Sequence, residues 1–470
     1  MNFLKRNYIF IVPSVAFLVI RLGLNFDGFY GQDSYEYLRF TDSLTNYYTK
    51  GTDPGNYFWP IMYPLISSVF SIIFSSKWVL LLVSFLSFLG VISFSRKILV
   101  KLYPESDSSQ NVNLYLLLTL ALSPYFFRSS IIGMSDMLAC FFIVYALYSL
   151  LSFKNELRHK WAMLFVASCV LAFMTRYVSA VILIPLIGFF IFTLFKERKW
   201  LYLLSSLVIV CLVLTPHILV RGYQSANFLS HEGFISWTPT NFFQSDHATP
   251  DGVLQHPYIN FMYGFSPFLH PGYLLIGFGL LMFSKYKIKQ SFSLFIFSSI
   301  LLYLIFIIGL RTQNMRFFVP IFPFVIYLLF PAFIRARIKI NSKLFIAGVL
   351  FAMIAQIGYF SVSFSKFQRH HLLEKSVAAR IVELGFTEPI YAFSLDVSLP
   401  HRGVENELRN LWSEEYDSFE NGAFVLFDEV GLKEQWNGKS PMINWDHLNA
   451  TRKLVIIAEF QDGWKLYRIE

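Results

Sequence analysis

Gly31-Gln32-Asp33-Ser34-Tyr35-Glu36-Tyr37-Leu38-Arg39-Phe40-Thr41-Asp42 follows closely on the chain's first apolar run, Tyr8–Leu24, which Lys5 and Arg6 precede. A cleaved signal peptide has a shorter apolar core and a small-residue cleavage site. The run therefore reads as a retained transmembrane helix, and the acidic, tyrosine-rich stretch as the start of a loop outside the membrane. Ionisable groups at the edge of a bilayer are costly and tend to face a cavity or one another. The stretch thus points to chemistry at an outer membrane face.

The rest of the chain agrees. Its 470 residues are 55% hydrophobic and only 15% charged, against roughly 25% charged in soluble domains. Mean hydropathy is +0.51. Phenylalanine alone accounts for 53 positions, which suits a lipid solvent. The net charge of +9 comes mostly from Lys and Arg in short loops between apolar runs. That is a topology signal, and no basic-aromatic surface suits nucleic acid. Cys140, Cys169 and Cys211 sit inside apolar runs with no metal-like spacing and imply no disulfide framework.

A span needs roughly 20 apolar residues. Eleven runs qualify or nearly so: Tyr8–Leu24, Trp78–Phe94, Val112–Phe127, Met137–Phe153, Trp161–Met174, Tyr177–Phe195, Trp200–Val220, Pro267–Phe283, Phe292–Leu310, Phe317–Ile334 and Leu344–Val362. Basic clusters fall on alternate loops, at Lys5/Arg6, Arg96/Lys97/Lys101, Lys154/Arg158/Lys160, Lys196/Arg198/Lys199, Lys285/Lys287/Lys289 and Arg335/Arg337/Lys339/Lys343. The positive-inside rule makes that side cytoplasmic. Ile61–Phe74 is also apolar, but counting it as a crossing would export every later basic cluster. It reads instead as a helix lying along the outer surface.

This topology gives a transmembrane module over residues 1–363, with a first outer loop at 25–77 and a second at 221–266. The second loop carries His231, Glu232, Asp246, His247, Asp251 and His256, spaced too irregularly for a metal site. From residue 364 to 470 the character changes to a soluble α/β pattern. A helix-like run at His371–Leu384 precedes strand-like runs at Pro389–Phe393, Ala423–Phe427, Leu454–Phe460 and Trp464–Ile469. The fold class expected is an α-helical polytopic membrane protein with a small C-terminal extracytoplasmic α/β domain.

If Asp33–Leu44 is helical, Asp33, Glu36 and Tyr37 share one face. Asp33 can equally cap the helix, with Glu36 and Asp42 as solvated surface. The order of motifs resembles that of the multi-pass glycosyltransferases of the GT-C superfamily, close to the protein O-mannosyltransferase and lipid A aminoarabinose transferase group. In that family an Asp, often Asp-Glu, follows the first span and precedes a Tyr-rich helix and a Pro-rich apolar stretch. Here Asp33, Tyr37 and Pro60-Ile61-Met62-Tyr63-Pro64-Leu65 take those places. Gly133-Met134-Ser135-Asp136-Met137-Leu138-Ala139 resembles the family's second acidic motif. Phe173-Met174-Thr175-Arg176-Tyr177 and Asn314-Met315-Arg316-Phe317-Phe318-Val319-Pro320 resemble its later basic positions. Ser34 departs from the pattern, standing where the family often has Glu.

The resemblance implies a GT-C-like fold and an inverting sugar transfer from a polyprenyl-phosphate donor. The acceptor would be a protein, lipid or glycan, with membrane lipids as the other partners. Asp33 and Asp136 are the candidate catalytic acids, and Glu36, Tyr37, Arg176, Arg311 and Arg316 the candidate substrate-binding residues. A carboxylate can take a proton from an acceptor hydroxyl. An arginine fork can hold a departing phosphate. A lipid monophosphate leaves with modest charge, so a divalent metal is helpful but not obligatory, and no metal ligands are assigned. Asp136 can also simply cap a helix, and Arg176 and Arg316 can snorkel. A transporter of lipid-linked saccharides, or a polysaccharide polymerase or ligase, is the alternative function. A transporter should carry its charges near the midplane, often on broken spans.

Overall fold

The computed structural model describes residues 2–104, 109–222, 235–249, 251–283 and 291–470. The basic positions Lys285, Lys287 and Lys289 and the second-loop residues His231 and Glu232 lie outside them. The chain forms two compact units. One comprises 1–28, 37–242 and 260–364, the other 29–36, 243–259 and 365–470.

The first unit is helical, as its long apolar runs dictate. Among the described residues, five helices are long and apolar enough to cross a bilayer: Ser76–Leu102, Asp136–Glu156, Ser179–Lys196, Trp200–Arg221 and Ser342–Leu384. Asn7–Gly23, His159–Thr175 and Phe292–Ile308 are apolar but shorter. Asp136–Glu156 is the central helix, with 83% of its apolar window buried. Only 11% of the most apolar stretch of Trp200–Arg221 and of Ser342–Leu384 is buried, which leaves the Leu, Ile and Val side chains of those stretches for lipid. At Gly90 the Ser76–Leu102 helix meets the central one. A Cβ there would lie 2.6 Å from the Phe141 ring, so a larger residue would have to displace that ring.

Four of the eleven runs differ from simple spans, the first of them because Tyr8–Leu24 ends in a wide turn at Val19–Gly23. Val112–Phe127 breaks into Ser109–Leu116, a wide turn at Leu117–Ala121 and Pro124–Ser130. The turn frees the Leu118 carbonyl, which accepts from buried Gln356 at 2.7 Å. Pro267–Phe283 becomes short helices at Ser266–Leu269, Pro271–Leu274 and Gly277–Met282, two of which carry proline at their first or second position. Proline cannot donate to the helical ladder, so helices start at it more easily than they pass through it. The fourth run begins with a tight turn, Met315–Phe318, ahead of a helix at Phe322–Lys339. The Ile61–Phe74 run yields a helix only at Met62–Ser71. Ten residues rise about 15 Å, half of a hydrocarbon core.

The second unit centres on a five-stranded sheet. We number strands β1 (Asp246–Thr249), β2 (Gly252–Gln255), β3 (Ile390–Ala392), β4 (Leu408–Asn410), β5 (Phe424–Phe427), β6 (Leu454–Glu459) and β7 (Lys465–Ile469). The sheet order is β4-β3-β5-β7-β6. β3 pairs parallel with β4 and β5, and β7 antiparallel with β5 and β6. The strand side chains alternate. Ile390, Ala392, Leu426 and Leu466 pack one face against Leu373, Val377 and Ile381 at the end of the Ser342–Leu384 helix. Tyr391, Val425, Phe427 and Ile469 pack the other against Trp436, Trp445 and Leu448. A helix layer on each face gives the sheet two cores. The hairpin β1–β2 is antiparallel, and its turn is tied to the helix Glu429–Trp436 by Gln435, whose amide donates to the Asp251 carbonyl at 2.7 Å.

The basic-loop pattern carries a topology prediction. Reporter fusions after Lys101 and after Lys366 are expected on opposite sides, cytoplasmic and external respectively. Both on one side would overturn the sidedness.

Candidate active site

The Gly133–Asp136 segment is held by four separate parts of the first unit. The Gly133 amide donates to the Gly28 carbonyl at 2.9 Å. Gly28 has φ +83°, where an L side chain is strained, and a Cβ there would also have to displace the Leu81 side chain. The Ser84 hydroxyl donates to the Met134 carbonyl at 3.1 Å. The Ser135 hydroxyl bonds the Tyr37 hydroxyl at 2.8 Å. The Asp136 carboxylate accepts from Arg176 Nη1. No side-chain cap is made at Ser135, so Asp136 acts at this helix start through its ion pair.

The partners are fixed in turn. Arg176 follows the helix His159–Thr175 in extended backbone, which turns its side chain out of the helical path. Its guanidinium also lies 5.9 Å from the centre of the Phe317 ring. Tyr37 is 5% exposed and packs edge-on to Tyr63, whose hydroxyl bonds the Leu80 carbonyl and Ser84 at 2.8 Å each. The Trp59 ring lies 6.2 Å from that of Tyr37. Arg221, buried at the end of Trp200–Arg221, donates to the carbonyls of Phe58 and Trp59 at 2.7 and 3.0 Å. It thereby pins the segment that carries the indole, a role the sequence pattern did not suggest.

Arg316 approaches the same segment, its Nη1 lying 3.3 Å from the Met134 sulfur. Its turn is anchored by tyrosine hydroxyls. Tyr263 donates to the Asn314 carbonyl at 2.5 Å, Tyr303 to Phe317 at 2.5 Å, and Tyr273 to Met315. Arg311 lies a few residues earlier, half-buried, between Ser291–Ile308 and this turn. The first unit therefore gathers Tyr37, Asp136, Arg176 and Arg316 around one segment. Asp136 is 2% exposed and already engaged by an arginine. An acid paired in this way orients the arginine and is poorly placed to deprotonate a hydroxyl.

Asp33 and Glu36 belong to the second unit. Asp33 lies in the first turn of the helix Gly31–Lys50, not at its cap. Ser34 is fully buried and turned inward, accepting from the Tyr30 amide and donating to the Tyr30 carbonyl, both at 2.8 Å. Its hydroxyl is committed to the backbone. Asp251, in the β1–β2 turn, feels the charge of Asp33. Burial first and Asp33 second push the Asp251 carboxyl above its usual range. The sequence placed Asp251 on the second loop but gave no sign that it neighbours Asp33. Among the described residues, no group of three or more His, Cys, Asp and Glu side chains is arranged to hold a metal ion.

Residues 59–219 match a family model described as dolichyl-phosphate-mannose-protein mannosyltransferase. No curated protein matches in sequence. Among solved structures, the chain is similar to ArnT from Cupriavidus metallidurans bound to undecaprenyl phosphate, with TM-score 0.63, 14% identity and 97% of each chain covered. The apo form of that protein superposes with TM-score 0.58, again at 14% identity and 97% coverage of each chain. At this identity the likeness establishes the fold. The chain is a multi-pass membrane protein with the fold of a GT-C superfamily glycosyltransferase, resembling ArnT and the protein mannosyltransferases.

Proposed function

We propose that the protein transfers a sugar from a polyprenyl-phosphate donor to an acceptor hydroxyl or amine at the outer face of the membrane, with inversion. The observation that carries this reading is the end-to-end fold match to a protein crystallised with undecaprenyl phosphate. The mannosyltransferase match over the central helices supports it. The acceptor atom attacks the anomeric carbon while the bond from that carbon to the phosphate oxygen breaks. Asp33 takes the acceptor's proton, and the lipid monophosphate departs with the bond's electron pair. Arg316 and Arg176 neutralise the departing phosphate, with Arg311 a few residues before the turn that carries Arg316. Asp136 holds Arg176 in place, and Glu36 and Tyr37 contact the bound substrate. No step is routed through a metal, since Ser34 occupies the place of a second acid and its hydroxyl is already spent on Tyr30. The 364–470 region lies outside with the acceptor, in a plasma or inner membrane.

Purified protein incubated with a panel of polyprenyl-phosphate sugars should release lipid phosphate with one or a few of them. Release from none, together with saccharide movement across vesicles, would favour the transporter reading.

Arg316 provides a narrower test. Replacing it with alanine removes one charge-assisted contact, about 1.5–3 kcal/mol, or roughly ten- to hundred-fold in donor affinity. Lysine should restore part of the loss. If alanine leaves donor KM unchanged, Arg316 only reaches for the interface.

A further inference from the structure

Within the second unit, the turn that carries Asp33 is tied down by a buried polar triangle. Tyr35 is 3% exposed, and its hydroxyl donates to Glu374 Oε2 at 2.6 Å. Arg402 Nη2 donates to the same oxygen and to the Tyr35 hydroxyl at 2.7 Å. Glu374 is 1% exposed, and its other oxygen faces His370 Nε2 at 3.3 Å. The His401 ring stacks on Tyr35, 5.6 Å away and 17° from parallel. Tyr30, just before the helix, packs on Phe367 at 4.1 Å.

A buried ion pair is a poor way to stabilise a fold, because apolar residues of the same volume do as well or better. What it supplies is a single geometry, since every partner must be in place or a charge is left stranded. Here the geometry fixed is that of Gly31–Glu36. Three separate pieces of chain meet at one carboxylate: the start of Gly31–Lys50, the end of Ser342–Leu384 and the turn Pro400–Arg402.

We propose that Tyr35, Glu374 and Arg402 form a positioning device through which the C-terminal region sets the placement of the Asp33 carboxylate. None of the three touches substrate; each acts through Asp33. The inference rests on Asp33 being the base and adds a role for the C-terminal region, which becomes part of the transfer apparatus.

Tyr35→Phe is the mildest probe. It removes one hydroxyl and leaves Glu374 and Arg402 paired, so the fold should survive. A misplacement of about 1 Å can cost a hundred-fold in rate, so kcat should fall roughly ten- to hundred-fold with donor KM within about two-fold of wild type. The decisive measurement is the double-mutant cycle with Asp33→Asn. If Tyr35 acts through Asp33, Tyr35→Phe costs nothing further once Asp33→Asn is already in place. An additive loss, or a Tyr35→Phe enzyme with wild-type kcat, overturns the positioning role. A silent Asp33→Asn overturns the base assignment instead, so the two failures are distinct. Should Tyr35→Phe fail to fold, Arg402→Lys keeps the charge but loses the fork, and the same cycle applies to it.

Discussion

Asp33→Asn is expected to leave the protein folded and to lower sugar transfer by about 10²–10⁴-fold, the usual contribution of a general base. Asparagine keeps the size and hydrogen-bonding oxygen of the side chain but cannot take a proton. Asp33 sits in the first turn of Gly31–Lys50, where a negative group is favoured by the helix N-terminus but not required by it. Loss of that charge should cost stability only a few tenths of a kcal/mol to about 1 kcal/mol. The check is turnover with a lipid-phosphate sugar, read beside thermal unfolding of the same sample. A free Asp is a weak base in water, with a pKa of about 3.9. Its effectiveness must come from placement within reach of the acceptor. If Asp33→Asn turns over like wild type while an Asp136→Asn protein shown to be folded is dead, the roles exchange and Asp136 is the base.

The helical fold was legible because lipid imposes a simple rule: long apolar runs become helices. Trp78–Phe94, Met137–Phe153 and Leu344–Val362 all lie within the helices observed. Four of the five C-terminal strands were legible for a similar reason, since their alternating Tyr, Val, Ile and Phe side chains suit a sheet with two cores, whereas the short, polar β4 gave no such signal. The broken runs were less so. Apolar composition alone does not tell a straight helix from one interrupted at Leu117–Ala121, although Pro267 and Pro271 were visible breaks.

The candidate site divides the same way. Asp136 and Arg176 each stood out as an ionisable group at the end of a span, but nothing in their spacing said they pair. Ser84, Met134, Ser135 and Tyr37 meet only through tertiary packing. Tyr35 and Glu374 lie 339 positions apart. By sequence Glu374 is one polar residue on an amphipathic helix; only the fold surrounds it. Asp251 was visible only as one of several polar residues on the second loop; its closeness to Asp33, far away in sequence, comes from the fold.

Breaking the Asp136–Arg176 pair should be the largest single blow to stability in the first unit. Asp136 is 2% and Arg176 15% exposed at the side chain, so water does little to screen either. Arg176→Ala leaves a carboxylate buried with its partner gone, at an expected cost of about 3–5 kcal/mol. Asp136→Asn leaves the arginine's charge uncompensated beside Phe317 and should cost a similar amount. Removing both is different. Asp136→Asn with Arg176→Gln strands no charge, and an amide can still bond an amide. The double variant should therefore unfold at a higher temperature than Arg176→Ala, and its loss should be smaller than the sum of the singles. Unfolding in detergent, followed by fluorescence of the nine tryptophans, measures this directly. Equal and additive losses would mean that the two side chains contribute independently and that the pair does not orient Arg176. In that case the positioning of Arg176 for a phosphate would have to come from Phe317 and the extended backbone at residue 176 alone.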